Sequence, residues 1–150
     1  MSQTVFFYVQ HLLGIGHLKR AATLARGLHA SGFDVTIVSG GMPVPGLDIG
    51  ECRFVQLPPT RATDVFFKVL VDESERRIDD AWKARRERLL LAAFEDIRPD
   101  IVLTELYPFG RRQLRFELEP LLQRAHASRP RPLIAVSYTH LRAHETRYDR

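Results

Sequence analysis

The chain is poor in cysteine, tryptophan and methionine, with one, one and two in 150 residues. A lone Cys52 excludes an internal disulfide framework and fits a reducing compartment, packed as a small apolar residue. No run approaches the roughly 18 apolar residues of a membrane-spanning helix. Met1-Ser2-Gln3-Thr4 lacks the basic and apolar stretches of a secretory leader, so a cytoplasmic location is expected. There is no glycine-lysine followed by serine or threonine, which excludes a P-loop. Internal repeats and low-complexity tracts are also missing. Charge of neither sign dominates: 22 Lys and Arg against 18 Asp and Glu leave a net +4. That is too mild for a dedicated nucleic-acid binder, and no aromatic-interleaved basic element is present. It suits an anionic partner such as a phosphate-bearing lipid, a nucleotide sugar or an anionic membrane surface.

What is there alternates in period. Val5 to Val9 is β-branched and aromatic, a buried strand. After Gly14-Ile15-Gly16 the apolar spacing becomes helical, with Leu18, Ala21, Ala22, Ala25 and Leu28 on one face and Gly32 as the stop. Asp34 to Ser39 is a second strand, so the opening forty residues form a βαβ unit. A third strand is expected at Arg53–Leu57, closed by Pro58-Pro59. Thr60 to Val71 is irregular and carries the apolar stretch Val65, Phe66, Phe67, Val69, Leu70 and Val71. It is expected to fold back on the core; the competing role is contact with a lipid acceptor or membrane interface. Asp72 and Glu75 have capping-box spacing, predicting a helix from there to Arg98. Its apolar stripe is Ile78, Trp82, Leu89, Ala93 and Ile97. Trp82 and Leu89 to Leu91 are expected in the core, and Arg76, Arg77, Arg85, Arg86 and Arg88 on a solvated face. Asp100–Thr104 reads as a fourth strand ending at Glu105. A helix through Leu114, Leu118, Leu121, Leu122 and Ala125 follows, then a fifth strand at Pro132–Val136. This alternation predicts an α/β fold: an open, Rossmann-like, mostly parallel sheet of about five strands with helices on both faces.

From Ser137 onward the pattern breaks, with Tyr138 and Leu141 nearly the only apolar residues. The string SYTHLRAHET resembles translated adapter sequence at the end of a truncated reading frame, so 138–150 is expected to be a non-native tail. His140 and His144 stand four apart, but there is neither a zincin glutamate nor an evident third ligand, and no metal site is expected.

The carboxyl ends of parallel strands bear the ligand crevice in such folds. His11 to His17, Ser39 to Gly46 and Glu105 to Arg112 are the loops there. Gly14 and Gly16 allow a tight turn and close ligand approach. The following helix start offers unpaired N–H groups and a positive dipole end suited to phosphate. His17 stands at that mouth, where a neutral imidazole can accept a proton from a hydroxyl. A dinucleotide fingerprint is disfavoured: Lys19 replaces its third glycine, and the second strand ends in Ser39 rather than an acid. Glu105 is the candidate partner for His17, and Arg111 and Arg112 are candidate phosphate ligands. His11 is expected on a surface loop.

The run VFFYVQHLLGIGHLKRAATLARGLHASGFDVTIVSGG resembles the opening of GT-B glycosyltransferases of the MurG-like group. TELYPFGRRQLRFELEPLL is similar to a fourth strand and following helix in a subgroup of predicted bacterial glycosyltransferases. The resemblance spans residues 4 to 137. It implies that 1–137 is the N-terminal, acceptor-side half of a GT-B fold, with the C-terminal donor-binding domain absent. Gly14 and Gly16 fall on the family's glycine loop and His17 on its terminal histidine. MurG itself has a fuller glycine run, where this chain has Leu13 and Ile15. The resemblance implies sugar transfer from a nucleotide-sugar donor to a hydroxyl acceptor, lipid-linked or cell-envelope acceptors included. It implies no cofactor, no essential metal, and a cytoplasmic protein that extends to peripheral contact with the inner membrane face. The fragment alone is expected to be inactive. The alternative is a non-catalytic Rossmann-like module that binds an anionic small ligand or a partner protein.

Overall fold

The computed structural model describes residues 2–107 and 111–137. The expected tail 138–150, with His140 and His144, lies outside the described residues.

Among the described residues, seven strands and three α-helices run in the order β1 (Thr4–Val9), α1 (Gly16–Ala30), β2 (Asp34–Ser39), β3 (Arg53–Gln56), β4 (Arg61–Ala62), β5 (Leu70–Val71), α2 (Asp80–Ile97), β6 (Ile101–Glu105), α3 (Arg115–Ala127) and β7 (Leu133–Ser137). A 3-10 turn, Arg112–Leu114, leads into α3. Five strands form one parallel sheet in the order β3-β2-β1-β6-β7. The Rossmann-like α/β fold is therefore as the periodicities indicated.

Side chains of β1 alternate between the two sheet faces. Val5, Phe7 and Val9 pack with Leu18, Ala21 and Ala25 of α1. Phe6 and Tyr8 pack with Leu90 and Phe94 of α2 and Leu118 and Leu121 of α3. Each fully buried aromatic or leucine contributes about 1.5–3 kcal/mol to holding the layers together. Helices thus cover both faces, and Cys52 is a buried free thiol against α1, as its composition suggested.

The sequence misplaces the start of α2. Asp72 does not cap a helix: its Oδ1 accepts from the Ser74 and Arg76 amides, 2.8 and 3.0 Å, closing a turn. The cap is Asp79, whose Oδ1 accepts from the Trp82 amide at 2.8 Å. An aspartate bonds to an amide a few residues ahead in either setting, so spacing alone does not separate them. The buried stripe is also displaced, to Arg86, Leu90 and Phe94. Leu89 is exposed and Trp82 only half-buried, so neither is a core residue.

The irregular stretch after β3 forms a two-residue antiparallel pair, β4 with β5. It divides its apolar residues: Phe67, Leu70 and Val71 turn toward the core, while Val65 and Phe66 stay 70% and 72% exposed. The segment therefore folds back on the core only in part. No helix among the described residues is long and apolar enough to cross a membrane.

Candidate functional site

The strand order reverses between β1 and β6: the chain winds outward through β2 and β3, then returns to the other side of β1. At such a reversal a parallel α/β sheet is built to hold a ligand, outside the carboxyl ends of the two central strands. The β1–α1 loop turns at Gly14, whose φ of +56° is costly for residues with a side chain. A Cβ at Gly14 or Gly16 would meet no atom within 4 Å, so both positions face open space. Helix α1 starts at Gly16, earlier than Leu18, and no side chain caps its first turn. Its leading amides are thus left without a side-chain partner.

His17 in that first turn reaches Glu105 at the end of β6, with Nδ1 to Oε2 at 3.1 Å. The imidazole is 35% exposed and the carboxylate 3%. Arg20 Nη2 lies 3.2 Å from the same Nδ1. The two contacts compete, because a guanidinium only donates and an ionised carboxylate only accepts. The buried carboxylate has the stronger claim, since exposed Arg20 is satisfied by solvent. Nδ1 then carries the proton and Nε2 is the basic nitrogen. The other Glu105 oxygen, Oε1, is buried without a partner among the described residues. Glu105 is therefore not the solvated strand-end carboxylate common at such positions.

Arg111 adopts a left-handed conformation, φ 65°, just before the 3-10 turn. Its Nε donates to the Gln10 carbonyl at 2.5 Å. Burial pulls its guanidinium pKa down, and the Glu105 charge opposes that. Arg112 is exposed. The structure thus gathers Gly14, Gly16, His17, Glu105 and Arg111 at the carboxyl edge.

His11 corrects the surface-loop expectation. Its ring is 6% exposed and packs on Gly41, where a Cβ would come within 2.2 Å of it. Burial lowers its pKa, with smaller contributions from the Arg111 and His17 charges.

Sequence reasoning also missed Arg86, which is not on a solvated face but fully buried. Its Nη2 donates to Glu117 Oε2 at 2.9 Å and to Gln10 Oε1 at 2.5 Å. Its Nη1 donates to the carbonyls of Pro58 and Gly40, at 2.8 and 3.4 Å. Tyr8 donates its hydroxyl to Glu117 Oε2 at 2.5 Å. Burial drives the Glu117 pKa up, opposed by the Arg86 charge, and drives Tyr8 well above its ordinary value. A signal was available: Arg86 and Glu117 are charged residues at positions where apolar stripes demand burial.

A groove of about 490 Å³ lies between α1 and the loop Val44–Asp48, with Ile15, Lys19 and Arg26 on its wall. His17 and Glu105 sit beside this groove rather than in it. A larger one, about 680 Å³, lies at the opposite, amino edge of the sheet around Arg98 and Arg131. The C-terminal ends of α2 and α3 lie there, and Arg129 Nη1 donates to the carbonyls of His126 and Ser128, at 2.8 and 2.7 Å, answering the negative end of α3.

No protein-family model matches the chain, and no curated protein matches it. Among solved structures it is similar to Phytolacca americana UGT2 complexed with UDP-2fluoro-glucose and pterostilbene, at a TM-score of 0.52 and 14% identity. The match covers 92% of this chain and 31% of that one, so the chain spans about a third of its length. The likeness is one of fold: a Rossmann-like α/β sheet.

Proposed function

We propose that residues 1–137 form the acceptor-side domain of a GT-B glycosyltransferase of the MurG-like group. In the intact protein a C-terminal domain holds most of a nucleotide-sugar donor. The acceptor hydroxyl attacks the anomeric carbon, its proton passes to Nε2 of His17, and the nucleoside diphosphate leaves. Glu105 orients the ring through Nδ1 and stabilises the imidazolium that forms. Gly14 and Gly16 let the acceptor approach the backbone, and the α1 amides with Arg111 receive a phosphate on it. The observation that carries this reading is the 3.1 Å contact between His17 and Glu105 at the strand-order reversal. Exposed Val65 and Phe66 support a lipid-linked acceptor met at the inner membrane face.

The test is to express the reading frame together with its donor-binding half and compare wild type with His17→Ala. Transfer from a nucleotide sugar to a hydroxyl acceptor should fall by about 10²–10⁴ in kcat. Undiminished transfer rejects the role of His17.

A second reading, a non-catalytic module for an anionic small ligand, draws on the uncapped α1 start beside Lys19, Arg20 and Arg111. A reading frame that continues past Ser137 into a second α/β domain favours the enzyme, and a genuine stop after Arg150 favours the module.

A further inference from the structure

Arg86 and Glu117 are two charges taken wholly out of water, on α2 and α3. Such a pair gains little net stability, because desolvation offsets its attraction. Nor is this one internally complete: Arg86 Nε and Glu117 Oε1 have no hydrogen-bond partner among the described residues. What the guanidinium does have is reach. It bonds the Gln10 side chain after β1, the Gly40 carbonyl after β2 and the Pro58 carbonyl after β3. It therefore ties together three strand exits at the carboxyl edge. Position 40 accommodates this only as glycine, since a Cβ there would stand 1.9 Å from Arg86 Nη2.

Gln10 connects this buried cation to the crevice. Arg86 grips its side chain at Oε1, and Arg111 donates to its main-chain carbonyl. Its own amide nitrogen donates to the carbonyls of His11 and Thr60, at 2.9 and 3.1 Å. The start of the loop that carries Gly14, Gly16 and His17 is thereby fixed. So is the guanidinium of Arg111, on which the Glu105 charge acts.

We propose that Arg86, anchored by Glu117, is a positioning residue for the His17–Glu105 site and acts through Gln10 and Arg111. The proposal rests on reading that site as the reacting centre, but its test needs no transfer assay. The full chain and two variants, Gln10→Met and Arg86→Lys, are compared by NMR. Gln10→Met leaves the Arg86–Glu117 contact in place and cuts its link to the crevice. Arg86→Lys keeps the charge but not the planar fork that spans several acceptors. In wild type the Arg111 Nε–H should be protected from exchange. In both variants that protection should fall about five- to tenfold, the factor for weakening one buried hydrogen bond, with backbone spectra away from the edge unchanged. The His17 ring nitrogen resonances should move with it. If Arg86→Lys does not fold, Gln10→Met decides alone. Retained Arg111 protection with unmoved His17 signals overturns the proposal, and so does a uniform loss of protection across the chain. Loss of transfer in His17→Ala is a separate measurement, so a failure of this inference is distinguishable from a failure of the functional reading.

Discussion

His17 and Glu105 are 88 residues apart in sequence and 3.1 Å apart in space, one opening α1 and the other closing β6. Their contact lies where neighbouring strands send their loops in opposite directions, so it is a product of strand order rather than of local sequence.

If Glu105 orients the imidazole, Glu105→Gln should depress turnover more than substrate affinity. In the intact protein, initial rates should show kcat reduced by roughly 10- to 100-fold with KM within about twofold. An equal rise in KM instead would assign Glu105 to acceptor binding.

Truncating one partner of the buried ion pair should be severe. Arg86→Met or Glu117→Leu alone should destabilise by about 3–5 kcal/mol in urea denaturation. The double substitution should recover most of that loss, since no uncompensated charge remains. Additive losses would contradict this account of the pair.

Two glycines of one turn should resist any side chain, and one elsewhere should welcome it. Gly40→Ala and Gly41→Ala place a Cβ at 1.9 Å from Arg86 Nη2 and 2.2 Å from the His11 ring. Each should cost about 1–3 kcal/mol by overpacking. Gly27→Ala, inside α1 with nothing within 4 Å of the new Cβ, should gain about 0.5–1 kcal/mol. Thermal melts of the three variants give the comparison.

Stability should carry a pH signature of His11. Its folded pKa lies below the ordinary 6.5, so the unfolded chain binds the proton first. That contribution is complete above 6.5 and is lost as pH falls toward the folded value. The difference in unfolding free energy between wild type and His11→Leu should be flat above pH 6.5 and slope below it. A flat difference throughout would remove the burial effect.

Val65→Ser with Phe66→Ser should leave stability within about 0.5 kcal/mol, because both side chains are exposed. If these residues meet a membrane, sedimentation with anionic vesicles should weaken in the pair variant. Unchanged sedimentation would separate the tip from that role.

Much of the fold was legible because buried parallel strands are short apolar runs: Asp34–Ser39 appears in the structure with the same limits. Helix α1 was equally readable from Leu18, Ala21, Ala22 and Ala25, all buried. The His17–Glu105 juxtaposition was accessible too, since both residues end up at strand exits of one sheet edge. Arg86 escaped for a physical reason. Its place on the apolar stripe demands burial, but its charge argues for solvent, and only a partner from another helix, Glu117, makes its burial tolerable. The start of α2 escaped because Asp72 and Asp79 offer the same chemistry to nearby amides. Strands β4 and β5, at two residues each, are too short to display any period.

Gly40 and Gly41 are consecutive, and the space a methyl group would need is taken by the Arg86 guanidinium at the first and by the His11 imidazole at the second. The partition between the ionic layer beneath α2 and the rim of the crevice is therefore a single peptide thick. Anything that shifts this partition disturbs both compartments at once, so variation at these two positions cannot tune one without the other.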